Sequence, residues 1–284
     1  MANIKVTCDS TCDLTREIYE KYNIEVLPLG VSMGDDLRQD GENVTAQDLY
    51  DYVGKTGQLP KTSAISIGTY EDCFRKYTEA GCEVIHISLS SELSSSYQNA
   101  CIAAEETGHV QVVDSCNLST GSGHLAILAM ELADADYTAQ DIVKALDEMK
   151  DRIDVSFVLQ TLDYLHKGGR CSGVAAFGAN ILKIRPEIEV KAGKMHVGKK
   201  FRGDMEKSIL SYIRSRLEGQ TDIQTDRIFV THSGVPREIL DKAVALVKEL
   251  QPFESVIETV AGSTISSHCG PNCLGLAFFR TSRS

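Results

Sequence analysis

Apolar positions in the first half of the chain alternate between stretches with strand-like spacing and stretches with a period near four. This rhythm predicts strands and helices in turn. Residues 4–8 (Ile-Lys-Val-Thr-Cys) are a strand pattern that stops at the Asp9-Ser10-Thr11 turn. Leu14, Ile18 and Tyr22 recur every four residues, as on one face of a short helix. Residues 24–29 read as a strand. Thr45 followed by Asp48 has the order of a capping box and opens a helix through about Val53. A helix over 69–80 ends at Gly81, a residue that readily caps a helix C-terminus. Strands follow at 83–89 and 110–114, and helices at 94–107 and 120–132. Thr138 with Asp141 caps another helix that runs to about Lys150. Strand and helix in alternation predict a parallel sheet with helices on both faces.

The pattern changes after a strand at 155–160. A Gly168-Gly169-Arg170 turn leads to a small-residue helix near 173–182. Alternating positions on either side of Ala192-Gly193 predict a hairpin. Helices at about 204–218 and 236–250 then alternate with strands near 227–232, 255–260 and 273–279. The expected architecture is therefore α/β in two domains. Residues 1–160 form an N-terminal domain with a parallel sheet, and residues 161–284 a C-terminal α/β domain with a mixed sheet. A length of 284 residues suits two domains.

The formal net charge of −11 makes nucleic acid and anionic membrane surfaces poor partners. No stretch approaches about 18 uninterrupted apolar residues, so no membrane span or stable insertion is expected. The first residues lack the basic, apolar, small-residue order of a secretory signal, and a cytoplasmic location is the expectation. Nine scattered cysteines do not suggest a disulfide framework.

Several motifs carry alternative chemistries. Gly121-Ser-Gly123-His-Leu-Ala126 matches a loose dinucleotide fingerprint, but its first glycine lies seven residues past Asp114. That is too far for the tight strand-to-helix turn that brings a pyrophosphate to a helix end, so helix packing is the better reading. Cys8/Cys12 and Cys269/Cys273 are both spaced C-x3-C and could hold zinc if the pairs met. Buried small hydrophobes account for them better, and no metal is expected. No Gly-x-Ser-x-Gly elbow occurs, although Ser94 with His268 could serve a serine hydrolase or acyltransferase.

The most informative feature is a pair of hydroxyl-rich turns. Lys61-Thr62-Ser63-Ala64 precedes one helix, and Ser90-Ser91-Glu92-Leu93-Ser94-Ser95-Ser96 precedes another. A helix N-terminus offers free N–H groups and partial positive charge, so hydroxyls there either cap the helix or hold an anion. Five serines in the second turn exceed what a cap requires. His268, in a polar turn between Ser267 and Gly270, is a candidate ligand.

Taken together these segments resemble the DegV family, which includes the fatty-acid-carrying subunits of bacterial fatty acid kinases. The likeness runs from Asp9-Ser10-Thr11-Cys12-Asp13-Leu14 to Gly275. Ser90–Gln98 is similar to the family's Ser-Ser-x-Leu-Ser-Gly-Thr-Tyr-Gln. Val113-Asp114-Ser115 with Gly121-x-Gly123 matches its second glycine-rich turn, and Leu162–Arg170 its Leu-x-x-Leu-x-x-Gly-Gly-Arg. Ile184-Arg185-Pro186 with Gly193-Lys194, and His268-x-Gly270-Pro271, match two further motifs. The resemblance implies a two-domain α/β fold that binds one long-chain fatty acid, such as palmitate, without a covalent bond, and that needs no cofactor. Thr62 and Ser94 would hydrogen-bond the carboxylate at the domain junction, with His268 beside it and Ser63, Ser95 and Ser96 in support. Arg170 would face outward to a fatty acid kinase subunit that phosphorylates the bound acid. The chain itself would be a carrier rather than an enzyme, and a monomer is expected. Ser95 stands where the family has Gly, Ser96 where it has Thr, and Asn272 where it has Gly. A Cβ at 95 is costly if the backbone there is left-handed.

This ligand suits such residues. Each buried methylene is worth about 0.8 kcal/mol, so some fifteen give roughly 12 kcal/mol before association costs. The acyl chain therefore sets affinity, while the head group needs neutral donors to replace water.

Overall fold

The fold is given by a computed structural model that describes residues 3–171 and 184–282. The small-residue helix expected near 173–182 lies outside the described residues. Two sheets stand on either side of a buried helix. The first holds β1 (Asn3–Asp9), β2 (Glu25–Leu27), β6 (Cys82–Ser88) and β7 (Val110–Asp114), all parallel, in the order β2-β1-β6-β7. The second holds β8 (Ile153–Val158), β9 (Ile184–Lys191), β10 (Lys194–Arg202), β11 (Ile223–His232), β12 (Ser255–Val260) and β13 (Leu274–Arg280). Its order is β10-β9-β8-β13-β11-β12, and of these pairs β11–β12 is parallel and the rest antiparallel. The protein is thus α/β with one parallel and one mixed sheet, as the pattern predicts. One detail differs. β8 falls before residue 160, yet it pairs with β9 and β13 inside the second sheet. All six of its residues are buried, Asp154 and Ser156 included, so the strand is covered on both faces, and its sequence pattern alone cannot assign it to one sheet or the other.

A small antiparallel sheet, unexpected from the sequence, joins β3 (Gly30–Met33), β4 (Asp36–Gln39) and β5 (Lys61–Ser63). The segment Lys61-Thr62-Ser63 is therefore a strand, with Thr62 opposite Val31, rather than a turn at a helix N-terminus.

Short-range signals set the surface helices. The Thr45–Asp48 capping box opens α2 (Ala46–Thr56), which follows α1 (Arg16–Lys21). Thr138 caps α6 (Ala139–Met149), and Asp204 caps α8 (Met205–Leu217). On the first sheet, α3 (Ile67–Thr78) and α4 (Ser96–Thr107) pack together on one face, and α5 (Thr120–Asp134) and α6 on the other. α8 and α9 (Arg237–Leu250) cover the second sheet through Ile228, Val230, Leu276 and Phe278.

α5 is the element that joins the halves. Residues 120–127 are buried without interruption, so the helix has no solvent face along that stretch. It packs on β1 and β6 on one side and on β8 and β13 on the other. A Cβ at Gly123 would lie 2.9 Å from the Cys12 carbonyl oxygen, and one at Gly121 2.5 Å from Val155. Gly121 lets β8 approach the helix, and Gly123 the turn that follows β1, which is the packing role. His124, one turn further on, gives Nε2 to the Ala277 carbonyl at 3.1 Å, and burial pushes its pKa down to about 3. One apolar cluster consequently runs from Val6 and Ile85 through Leu125 to Val155 and Phe229.

Two buried carboxylates fasten the halves at a second place. α10 (Ser263–Cys269) opens with its N–H groups aimed at them: Gly262 N donates to Asp13 Oδ1 at 2.9 Å, and Ser263 N to Asp40 Oδ1 at 2.7 Å. Ser119 Oγ donates to Asp13 at 2.5 Å, and Ser10 Oγ to Asp40 at 2.9 Å. Burial, with Asp40 nearby, pushes the Asp13 carboxyl up to about 8 in spite of its two donors. The polar turn expected around His268 is thus a helix held at its start by Asp13 and Asp40.

Candidate functional site

Thr62, Ser63, Ser94, Arg170 and His268 come from four separate stretches of chain and line one cavity of about 60 Å³. β5 supplies Thr62 and Ser63. The loop between β6 and α4 supplies Leu89, Leu93 and Ser94, and α10 supplies Ile265, His268 and Cys269. Leu29, Leu118 and Met195 complete an apolar wall. A second cavity of about 30 Å³ lies against the second sheet, lined by Val155 and Phe157 of β8, Leu276 and Ala277 of β13 and Ile265 of α10 among others. Leu118, Ile265 and Cys269 border both, so the two cavities adjoin as a slot divided by these three side chains, with the polar groups at one end, the mouth.

The mouth is built by close packing. Thr62 Oγ1 meets His268 Nε2 at 2.9 Å. A side chain at Gly168, the last residue of α7 (Asp163–Gly168), would run into His268 Nδ1, so glycine is what lets that helix lie against the imidazole. His268 Nδ1 is buried without a hydrogen-bond partner among the described residues. Burial and the nearby Arg170 charge push the His268 pKa down to about 4, and the ring is uncharged at neutral pH.

The serine loop is tied from both sides. Ser90 Oγ donates to the Gly193 carbonyl at 2.8 Å, across to the β9–β10 turn. Gly193 has φ +78°, and a Cβ there would lie 2.6 Å from Ser90 Oγ, so both conformation and contact require glycine. Ser94 Oγ accepts the Ser96 N–H at 3.2 Å and lies 3.0 Å from Ser96 Oγ. Ser94 thus takes one of the free N–H groups of α4 itself. Ser96 is buried and Ser95 exposed, and neither lines the cavity. Ser95 has φ −78°, an ordinary value, so its Cβ strains nothing. Asn272 adopts φ +58°, in the left-handed region that asparagine tolerates.

Arg170 is exposed at the mouth and donates from Nη1 to the Gly168 carbonyl at 2.7 Å. It faces solvent and also borders the slot, a double position that the sequence does not reveal. Leu29, Leu118, Met195 and Ile265 were invisible as site residues for a different reason. An apolar side chain lining a slot has the same sequence pattern as one lining a core.

The alternative chemistries find little support. Ser94 bonds Ser96, and His268 bonds Thr62, so the nucleophile–base contact of a hydrolase is not made. No carboxylate orients His268 Nδ1 among the described residues. Among the described residues no disulfide joins two cysteines, and no group of three or more His, Cys, Asp or Glu side chains converges to hold a metal, so the two C-x3-C pairs do not meet. Among the described residues no helix is long and apolar enough to cross a membrane.

The chain is similar to known proteins in sequence and in fold. The sequence model of a family described as "Uncharacterised protein, DegV family" matches residues 3–281. A DegV domain-containing protein of Clostridium acetobutylicum is 31% identical over 98% of this chain and 99% of its own. A protein of Thermotoga maritima named fatty acid-binding protein is 30% identical over 96% of both chains. Among solved structures, one described as fatty acid binding of a DegV family protein from Thermus thermophilus superposes with a TM-score of 0.88 at 28% identity, covering 99% of this chain and all of that one.

Proposed function

We propose, from the premise that this chain belongs to the DegV family, that it holds one long-chain fatty acid without a covalent bond and carries out no chemistry on it alone. The observation that carries this reading is the slot itself. Thr62, Ser94 and His268 line one cavity, and a second, mostly apolar one adjoins it across Leu118, Ile265 and Cys269. Hydroxyls and a neutral imidazole replace water around a carboxyl group, and Leu, Ile, Val and Phe side chains take the methylenes. At about 60 and 30 Å³ the two cavities are tight, so entry of an acyl chain requires wall side chains to turn aside. Met195, unbranched and flexible, and the half-buried Leu93 and Ile265 are suited to it. Native and denaturing mass spectrometry of the freshly purified protein test the reading. An added mass equal to a free fatty acid should appear in the native spectrum and vanish on denaturation. An adduct that survives denaturation would point instead to an acyl-enzyme.

Head-group contacts contribute less than the chain. Ser94→Ala is expected to weaken binding of palmitate about tenfold without abolishing it, the range of one hydrogen bond to a charged or strongly polar group. Complete loss in a folded variant, measured by displacement of a fluorescent fatty acid, would mean that the apolar contribution is overrated.

We further propose that the carried acid is presented to a separate kinase subunit for acyl phosphate formation, with Arg170 as a contact. Its exposure at the mouth supports this role. An exposed charge contributes at most about 1 kcal/mol to a neighbouring site. Arg170→Ala should therefore leave palmitate affinity within about fivefold while slowing transfer of phosphate to the bound acid by the kinase. Equal loss of both would count against a partner role.

A further inference from the structure

Before His268, α10 carries four hydroxyl side chains, and three of them are satisfied inside the protein. Ser263 Oγ donates to the Val44 carbonyl at 3.0 Å, Ser266 Oγ to the Ala261 carbonyl at 3.2 Å, and Ser267 Oγ to the Ser263 carbonyl at 2.8 Å. Thr264 is the exception. It is 4% exposed, and its Oγ1 is buried without a hydrogen-bond partner among the described residues. A helical threonine usually gives its proton to a carbonyl three or four residues back. Thr264 is the second residue of α10, so the position four back lies before the helix, at the end of β12. The carbonyl three back, of Ala261, already receives Ser266 Oγ. A buried hydroxyl left unpaired is costly, and folded proteins seldom keep one without a use.

The place of Thr264 says what that use is. Thr264, Ile265, His268 and Cys269 all line the first cavity, with the spacing of a single helix face. α10 packs on β3 and β5, so this face lies against the strand that bears Thr62, the partner of His268. Thr264 borders the cavity that holds Thr62, Ser94 and His268, and it does not border the second one, lined by Val155, Phe157 and Leu276. Its partner therefore belongs at the polar end of the slot and not along an acyl chain. A carboxylate offers about four lone-pair sites, and the Thr62 and Ser94 hydroxyls have one proton each. Two of those sites remain for further donors. The methyl and hydroxyl branches of a helical threonine exchange by a turn about Cα–Cβ, at almost no change in volume.

We propose that Thr264 is a third hydroxyl donor to the carboxyl group of the bound fatty acid, beside Thr62 and Ser94. This rests on the fatty-acid reading above and adds a recognition residue to it. The residue is well held for the task, because the neighbouring Ser263 N–H is fixed by Asp40 at 2.7 Å. Three converging donors favour an acid over an alcohol of equal chain length. The alcohol has one oxygen and no charge, and a hydrogen bond to a neutral oxygen is about half as strong as one to an ionised oxygen.

Thr264→Val, which exchanges the hydroxyl for a methyl of the same shape, tests this in the delipidated full-length protein. Displacement of a fluorescent fatty acid by palmitate should show affinity about ten- to thirtyfold weaker, the range of one hydrogen bond to a charged group. Displacement by 1-hexadecanol should change by about threefold or less. Thr264→Ser, which restores the hydroxyl, should bring palmitate back to within about threefold of the parent. Without ligand, the valine variant should melt at or above the temperature of the parent, since it loses a hydroxyl that had no partner. A melting temperature lower by more than about 4 °C would show that the hydroxyl is satisfied within the protein, and would overturn the inference. Unchanged palmitate affinity in the valine variant overturns it as well, and so does an equal loss for palmitate and hexadecanol, which marks a wall residue. In each of these cases the carrier function stands. A parent protein that binds neither palmitate nor the fluorescent acid overturns both.

Discussion

Tryptophan at position 118 is expected to abolish tight binding of palmitate in a chain that still folds. Leu118 is buried and borders both cavities, so a larger side chain there fills the place where an acyl chain would have to cross from one to the other. Shutting an acyl chain out of the inner cavity removes five or more methylenes from cover, about 4 kcal/mol at 0.8 each, or about a thousandfold in affinity. The cost to the fold should be about 1–3 kcal/mol, the usual range for overpacking, because the slot itself takes part of the new volume. Displacement of a fluorescent fatty acid measures the first effect and a thermal melt the second. Octanoic acid makes the informative control, since its head group meets an unchanged mouth and its chain is short. Palmitate affinity within tenfold of the parent would show that the acyl path does not run past Leu118.

Asp40→Ala should produce the largest loss of stability among the substitutions considered. The carboxylate takes Ser263 N at 2.7 Å and Ser10 Oγ at 2.9 Å in a buried place between the halves. Each orphaned buried donor costs about 1–3 kcal/mol, so the two together cost about 2–6 kcal/mol. At roughly 2–4 °C per kcal/mol for a protein of this size class, the melting temperature should fall by about 4–24 °C. The same change releases the first turn of α10 and with it His268, so palmitate affinity should fall as well. Asp40→Asn retains one acceptor oxygen and should recover part of both. A melting temperature within 2 °C of the parent would mean that the α10 N-terminus is satisfied in some other way.

What the sequence discloses and what it withholds follow from the range of the forces involved. Thr45–Asp48 and Thr138–Asp141 are legible because a cap is made by residues three apart. The Ala192-Gly193 turn is legible because both residues need positive φ, at 47° and 78°, and the flanking strands alternate. α10 is not legible. Ser-Thr-Ile-Ser-Ser-His-Cys has weak helix propensity, and the groups that hold its start, Asp13 and Asp40, lie more than 220 residues away in the chain. α7 is too short to show a period, and β5 pairs only three residues. The membership of β8 depends on which sheet covers it, which no local pattern encodes. Within the site, Thr62, Ser94 and His268 stand out because hydroxyls and imidazole are conspicuous in turns. Tyr70, by contrast, reads as an ordinary apolar position on the buried face of α3, and only the contact with Asp9, 61 residues earlier, gives its hydroxyl a purpose.

The placement of α5 has a consequence for how the molecule could be divided. A helix buried from Thr120 to Ile127, wedged between strands of both sheets, belongs to neither half alone. A fragment ending near residue 150 would carry that helix with one flank stripped bare, and the complementary fragment would lack the filling beneath β8 and β13. Neither piece should survive by itself in water, yet the two mixed together could reassemble around the shared rod. Proteolytic nicking in the connection just after Met149, followed by gel filtration, would then yield a single particle of unchanged size.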